Sequence, residues 1–227
     1  MARLLTQILG VMSGSVGDIV FHRRGGKSYV SAKPSGYTPR LDAASVARKK
    51  QFKTAVEIAK NINDLPILKA VWPVDSTKQL SKFQKMVSVN YKLVSGEDLT
   101  GQPTLTPDFG FEMTTPAVAL TADSVTFSAG QLGVNLGINT SIEKFYSVAG
   151  ILVMKNPTDL LSKDITVIKL ITNQANLDLI TDISVTIPLS GIDQQFLAKY
   201  TVKRAFLAFL TLDDNGNVVK HSATYGS

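Results

Sequence analysis

The stretch Ser13–Pro34, SGSVGDIVFHRRGGKSYVSAKP, decides how the chain is read. Val16, Ile19, Val20 and Phe21 supply a strand. Arg23, Arg24, Gly25, Gly26 and Lys27 supply a turn, because glycine tolerates the positive φ of tight hairpins. Ser28 to Ala32 returns as a second strand. Pro34 stops it, having no N–H to give a ladder. The result is a β-hairpin whose tip holds three cations in five residues.

Working outward, residues 3–9 (RLLTQIL) place Leu4, Leu5, Ile8 and Leu9 on one side of a short helix. A helix that short is unstable alone in water and has to dock. These three leucines and one isoleucine form the expected assembly arm. The apolar run Leu4–Met12 faintly resembles a signal peptide, but Thr6, Gln7 and Gly10 interrupt it, so cleavage is not expected.

C-terminal to the hairpin, Asp42 is a good N-cap for AASVARKKQFKTAVEIAKNIN, residues 43–63. Phe52, Ala55, Val56, Ala59 and Ile62 recur at helical spacing and are the expected buried stripe. Lys49, Lys53, Glu57 and Lys60 lie along another face, with Arg48 and Lys50 beside them. Residues 77–94 repeat the pattern through Leu80, Phe83, Val87, Tyr91 and Val94, with Gly96 as the expected C-terminal cap. Residues 95–116 hold three prolines and three glycines and read as a linker, which puts a domain boundary near residue 100.

From Val118 the apolar period changes to two. Strands are expected at 124–128, 132–136, 146–155, 165–172, 183–187, 203–212 and 218–224, with a helical turn inserted at 189–199. The turn DDNGN at 213–217 joins the last two strands. The expected fold is α+β. A basic hairpin-plus-helices unit, 1–100, precedes an immunoglobulin-like or fibronectin-like antiparallel β-sandwich, 101–227.

Composition narrows the functions open to the chain. Its 227 residues contain no cysteine, which excludes disulfides, thiolate metal sites and Cys nucleophiles. Histidines number two, His22 and His221, far apart and without a local partner for a triad or a metal site. Asp213 and Asp214 belong to a turn that lacks calcium-loop spacing, and Glu97–Asp98 lies in the linker. Gly14, Gly17, Gly25 and Gly26 do not make a phosphate loop. No catalytic residue, cofactor or metal is expected, and no apolar run is long enough for a transmembrane helix.

The net charge of +6 is uneven. Residues 1–100 hold 16 Lys and Arg against 7 Asp and Glu, whereas residues 101–227 hold 8 against 11. Opposite signs favour head-to-tail contact between copies, or a basic half facing a polyanion. Arg23, Arg24 and Lys27, with Arg48, Lys49 and Lys53, are the expected basic contact, and Lys33 and Lys50 extend it. Tyr29 and Tyr37 could stack on bases if the partner were nucleic acid.

The run Ser13-Gly14-x-Val16-Gly17-x-x-Val20-Phe21, then Gly26-Lys27-x-Tyr29-Val30 and Pro34, then Arg48 and Phe52 on a helix, resembles the N-terminal region of a protein family. Its members are proteins of about this size in Bacteroidota and in phages or prophages of those bacteria. Ser31 stands where many members have Arg, and Ser45 roughly where they have Gln. The resemblance covers residues 10–60 and brings no enzymatic role. It implies a structural component of a virion or of the cell exterior. The expectation is a non-enzymatic subunit of a virion or extracellular filament. It assembles by strand or arm exchange with copies of itself or with other structural subunits. Nucleic-acid binding by the basic half is the alternative.

Overall fold

The computed structural model describes residues 2–3, 13–24, 26–33, 36, 41–74, 80–94, 101–133 and 136–227. The chain divides into two compact units, Met1–Asp42 and Ala43–Ser227.

The first unit is a four-stranded antiparallel sheet. Its strands are β1 (Ala2–Arg3), β2 (Gly14–Val16), β3 (Ile19–Arg24) and β4 (Lys27–Ala32), in the order β1-β4-β3-β2. The basic hairpin is present, with Arg23 opposite Ser28 and Arg24 opposite Lys27. Gly26 takes φ +74° at the tip. A second turn at Gly17, φ +54°, separates Val16 from Ile19 and pairs them across β2 and β3. The single strand expected from Val16 to Phe21 is therefore two strands. Arg3 lies in a strand, not in the expected helix. Leu4, Leu5, Ile8 and Leu9 lie outside the described residues, as do Tyr37 and Gly96.

The second unit is built around two long antiparallel strands. Its elements are α1 (Ala43–Asn63), α2 (Pro66–Val71), α3 (Lys82–Leu93), β5 (Ala117–Leu120), β6 (Ser124–Ala129), β7 (Phe145–Pro157), β8 (Ile165–Ile171), β9 (Ala175–Asn176), β10 (Ile183–Pro188), α4 (Gly191–Ala198), β11 (Tyr200–Leu212), β12 (Val218–His221) and β13 (Tyr225–Gly226). The strands form an antiparallel six-stranded sheet and an antiparallel three-stranded sheet. The larger runs β12-β11-β7-β8, with β13 on β11 and β9 on β7, and the smaller runs β10-β6-β5.

Strands β7 and β11 are buried on both faces, which explains the unbroken apolar runs AGILVM and AFLAFL. Successive side chains alternate between faces. Ala149, Ile151, Val153, Phe206, Ala208 and Leu210 share a core with the helices. Val148, Leu152, Met154, Ala205, Leu207 and Phe209 share another with Val125, Phe127 and Ile183 of the three-stranded sheet. The boundary expected near residue 100 is thus corrected. One core joins Ile58 and Ile62 of α1, Leu68 of α2 and Met86 of α3 to Ile151, Val153 and Phe206 of the long strands, so helices and sheet belong to one unit. The segment read as a linker is anchored too: Leu105 is fully buried, and its carbonyl accepts the Trp72 indole N–H at 2.8 Å.

Helix α1 has the bounds its periodicity sets, but its buried stripe is Ala55, Ile58, Ala59 and Ile62. Phe52, expected inside, is 55% exposed. Helix α3 starts at a Ser81–Gln84 capping box, later than expected. It buries Met86 and Asn90, while Phe83, Val87 and Tyr91 are only half-buried. Asn90 can sit inside because its amide is fully engaged. It donates to the Met86 and Thr104 carbonyls at 3.1 Å each and accepts the Thr104 N–H at 2.9 Å. The strand expected at 132–136 does not form among the described residues, and β5, which the sequence reading did not single out, does.

Candidate interaction surfaces

The expected basic contact is distributed over both units. In the first unit, Arg23 is exposed on β3 and Lys27 on β4. Arg24 is placed by its backbone only. His22 contacts the Ser31 hydroxyl at 3.0 Å. Among the described residues of this unit only Ser28 is buried; Val16 is 64% exposed, and Ile19 is exposed as well.

In the second unit, Arg48, Lys49 and Lys53 rise from one side of α1. Arg48 donates to the Ser45 hydroxyl at 3.1 Å, and Lys53 lies 3.8 Å from Asp164 with both groups half-exposed. Such a pair contributes little to stability. Ser45, Arg48, Lys49, Phe52 and Tyr91 line a shallow depression of about 400 Å³. The two rings meet edge to face at 6.3 Å. The Tyr91 carbonyl accepts from the Gln51 amide at 2.7 Å, which fixes α1 against α3 at this point. Phe52, expected in the core, is instead a surface aromatic beside Arg48 and Lys49.

A groove of about 540 Å³ lies between α3, residues 102–112 and the C-terminal segment. Its walls are largely apolar, and Asp108 and Glu112 supply negative charge. Asp108 is 3.2 Å from His221 Nε2. Gly110, at φ +55°, brings the chain so close to the His221 carbonyl that a Cβ there would sit 2.0 Å from it. The Tyr225 hydroxyl accepts the Met113 N–H at 2.9 Å, and burial raises the phenol's pKa. This groove brings together residues more than a hundred positions apart, so sequence spacing gave no sign of it.

His22 and His221 lie in different units, each with a local partner, and no group of three or more His, Asp or Glu suited to a metal occurs among the described residues. The one described buried carboxylate, Glu143, accepts the Asn139 N–H at 2.9 Å and lies 3.6 Å from the Lys220 ammonium, which also donates to the Gly137 carbonyl. Among the described residues, no helix is long and apolar enough to cross a membrane.

Three turn carboxylates are held below the usual range by local hydrogen bonds. Asp123 takes them chiefly from Thr121, Asp159 from Ser162 and Asp213 from Asn217. A depressed pKa contributes stability that is whole above the unfolded value near 3.8 and is lost as pH falls through the lower folded value. Thermal melts between neutral pH and pH 2 are therefore expected to show Tm falling only below about pH 4. An Asp123→Asn/Asp159→Asn/Asp213→Asn variant should show a smaller acid-induced fall.

No family model and no curated protein matches the chain. Among solved structures, the β-glucosidase DesR from Streptomyces venezuelae, in complex with D-glucose, aligns at 11% identity and a TM-score of 0.21. The alignment covers 56% of this chain, which spans 16% of that structure's length. A likeness at that level carries no argument about fold or activity.

Proposed function

We propose that the protein is a non-enzymatic structural subunit that assembles with copies of itself. The observation that supports this reading most is the hairpin sheet of Met1–Asp42. None of its described apolar side chains is buried, and β2 is an exposed edge carrying Val16 beside Ile19. Sheets need an apolar face packed against something to be stable, and an open edge is a template for a strand from another chain. A neighbouring subunit supplies both through strand addition. The basic hairpin tip of one copy then meets acidic surface on the next, a head-to-tail contact that builds rings or filaments. We read the two antiparallel sheets of the second unit as an immunoglobulin-like or fibronectin-like sandwich with helices on one outer face. The resemblance of residues 10–60 to a family found in Bacteroidota and their phages supports a place in a virion or an extracellular filament.

The test is a variant that keeps the hairpin but spoils its edge. Val16→Glu/Ile19→Lys puts an opposite-charge pair at two exposed, cross-strand positions. Light-scattering mass should fall from assembly to monomer while circular dichroism is unchanged. An assembly that survives the double substitution removes the hairpin edge from the account.

A second reading is favoured by the depression on α1. Arg48 and Lys49 beside the rings of Phe52 and Tyr91 offer phosphate contacts next to stacking faces, the pairing that single-stranded nucleic acid uses. It requires affinity for an oligonucleotide that falls steeply with salt and is lost in Arg48→Glu/Lys49→Glu.

A further inference from the structure

Residues 19–41 hold five cations, Arg23, Arg24, Lys27, Lys33 and Arg40, and no acidic residue. Three of them close the hairpin tip. Arg24 is paired with Lys27 across β3 and β4, and Arg23 with Ser28. Like charges directly opposite one another destabilise a strand pair unless an anion neutralises them. Arg23 and Lys27 are exposed, so the tip is open to such an anion.

The groove between α3, residues 102–112 and the C-terminal segment has the opposite character. Among the described residues that line it, the charged ones are Asp108 and Glu112. Phe109, in the same stretch, is 82% exposed. Asp108 accepts the Gly110 N–H at 3.1 Å and meets His221 through the same oxygen, Oδ1, which leaves Oδ2 as an acceptor. Burial and the Glu112 carboxylate together raise the Tyr225 pKa, so Glu112 stands beside that phenol. An exposed aromatic face with carboxylates around it suits a guanidinium, which stacks on the ring while its N–H groups donate to the acids.

We propose that the hairpin tip seats in this groove on a second copy, an arginine lying on the Phe109 ring with its guanidinium held by the Asp108 and Glu112 carboxylates. The inference rests on the self-assembly reading and gives its head-to-tail contact two named surfaces. Charge complementarity selects the occupant: the acid-free basic stretch of 19–41 meets a groove whose described charges are both negative. Tip and groove belong to different units, so they are different patches. A contact between them is heterologous and propagates from copy to copy.

The test exchanges the charges in the full chain. Arg23→Glu/Lys27→Glu makes the tip acidic. Asp108→Asn/Glu112→Arg makes the groove basic and keeps an Oδ1 acceptor for the Gly110 N–H. Each variant alone should associate more weakly than wild type by about ten-fold or more, with its melting curve in place. An equimolar mixture should regain association, because each variant then supplies the groove that the other's tip requires. The cysteine-free sequence allows a second reading of the same contact. Under mild oxidation, Lys27→Cys/Phe109→Cys should give a ladder of covalent oligomers. A wild-type protein that assembles while the variants assemble equally well, or while their mixture is no better than its components, overturns this contact alone. A disulfide closed within single chains would place the tip in its own groove and overturn the assignment to a second copy. A wild-type protein that stays monomeric overturns both the contact and the assembly reading. Association that needs an added oligonucleotide, and is lost in Arg23→Glu/Lys27→Glu, would assign the tip to a polyanion and likewise overturn the proposal.

Discussion

Trp72→Ala is expected to lower the stability of the second unit by about 3–5 kcal/mol, the range for truncating a large buried aromatic. Trp72 has no exposed surface and packs in the core where α1, α2 and α3 meet the long strands. Its indole N–H also supplies the hydrogen bond to Leu105 that pins the following segment. Each kcal/mol moves Tm by roughly 2–4 °C in a unit of this size, so a drop of about 6–20 °C should appear in thermal circular dichroism. Trp72→Phe separates the two contributions. It keeps most of the apolar burial but leaves the Leu105 carbonyl unpaired, which costs about 1–3 kcal/mol. Because Leu105 lies between Pro103 and Pro107 in the groove wall, both variants should also weaken any association that uses the groove. A Tm change under about 3 °C for Trp72→Ala would contradict the placement of this core.

The second large effect comes from one methyl group. Gly150→Ala adds a Cβ at the centre of β7, opposite Leu207 of β11. That atom would lie 2.0 Å from the Phe206 carbonyl oxygen and 2.9 Å from the Leu207 Cα. Both are backbone atoms of a fully paired strand, so no side chain can swing aside. Removing a strand glycine ordinarily helps by about 0.5–1 kcal/mol, because alanine has less freedom to lose. Here the steric cost decides the sign, at about 3 kcal/mol or more, since overpacking that moves a backbone exceeds the usual side-chain case. Chemical denaturation should show a lower midpoint. A variant as stable as the parent would mean that β7 and β11 approach less closely than described.

How much of this was legible in the sequence depended on whether one chain segment carried the signal. Helix α1 was legible because Asp42 and an apolar repeat of three and four sit within one stretch. The repeat did not fix which way the helix turns. The spacing admits Phe52 as a core position, and the packing of β8 and β7 against α1 places Ile58 there instead. The long strands were recognisable as strands. Their runs, AGILVM and AFLAFL, lack the polar alternation of a half-exposed sheet, and that lack signalled cover on both faces. The prolines and glycines of 95–116 look like a linker and mask the continuity between the helices and this sheet. The burial of Asn90 has no sequence signal, because two of its three hydrogen bonds are to Thr104, fourteen residues away. The turn at Asp159 carried a local signal in Asp-Leu-Leu-Ser, where a side-chain carboxylate caps the backbone ahead of it. The groove carried none, because α3, residues 102–112 and residues 223–225 meet only in the fold.

The central claim is self-assembly of the intact chain. Its most direct test is the mass of nuclease-treated full-length protein by light scattering at low and high salt, with negative-stain microscopy of the same samples. The account predicts rings, tubes or filaments free of nucleic acid, with masses that are multiples of 24.5 kDa and that shrink as salt screens the head-to-tail charges. A single 24.5 kDa species at both salt concentrations would contradict it.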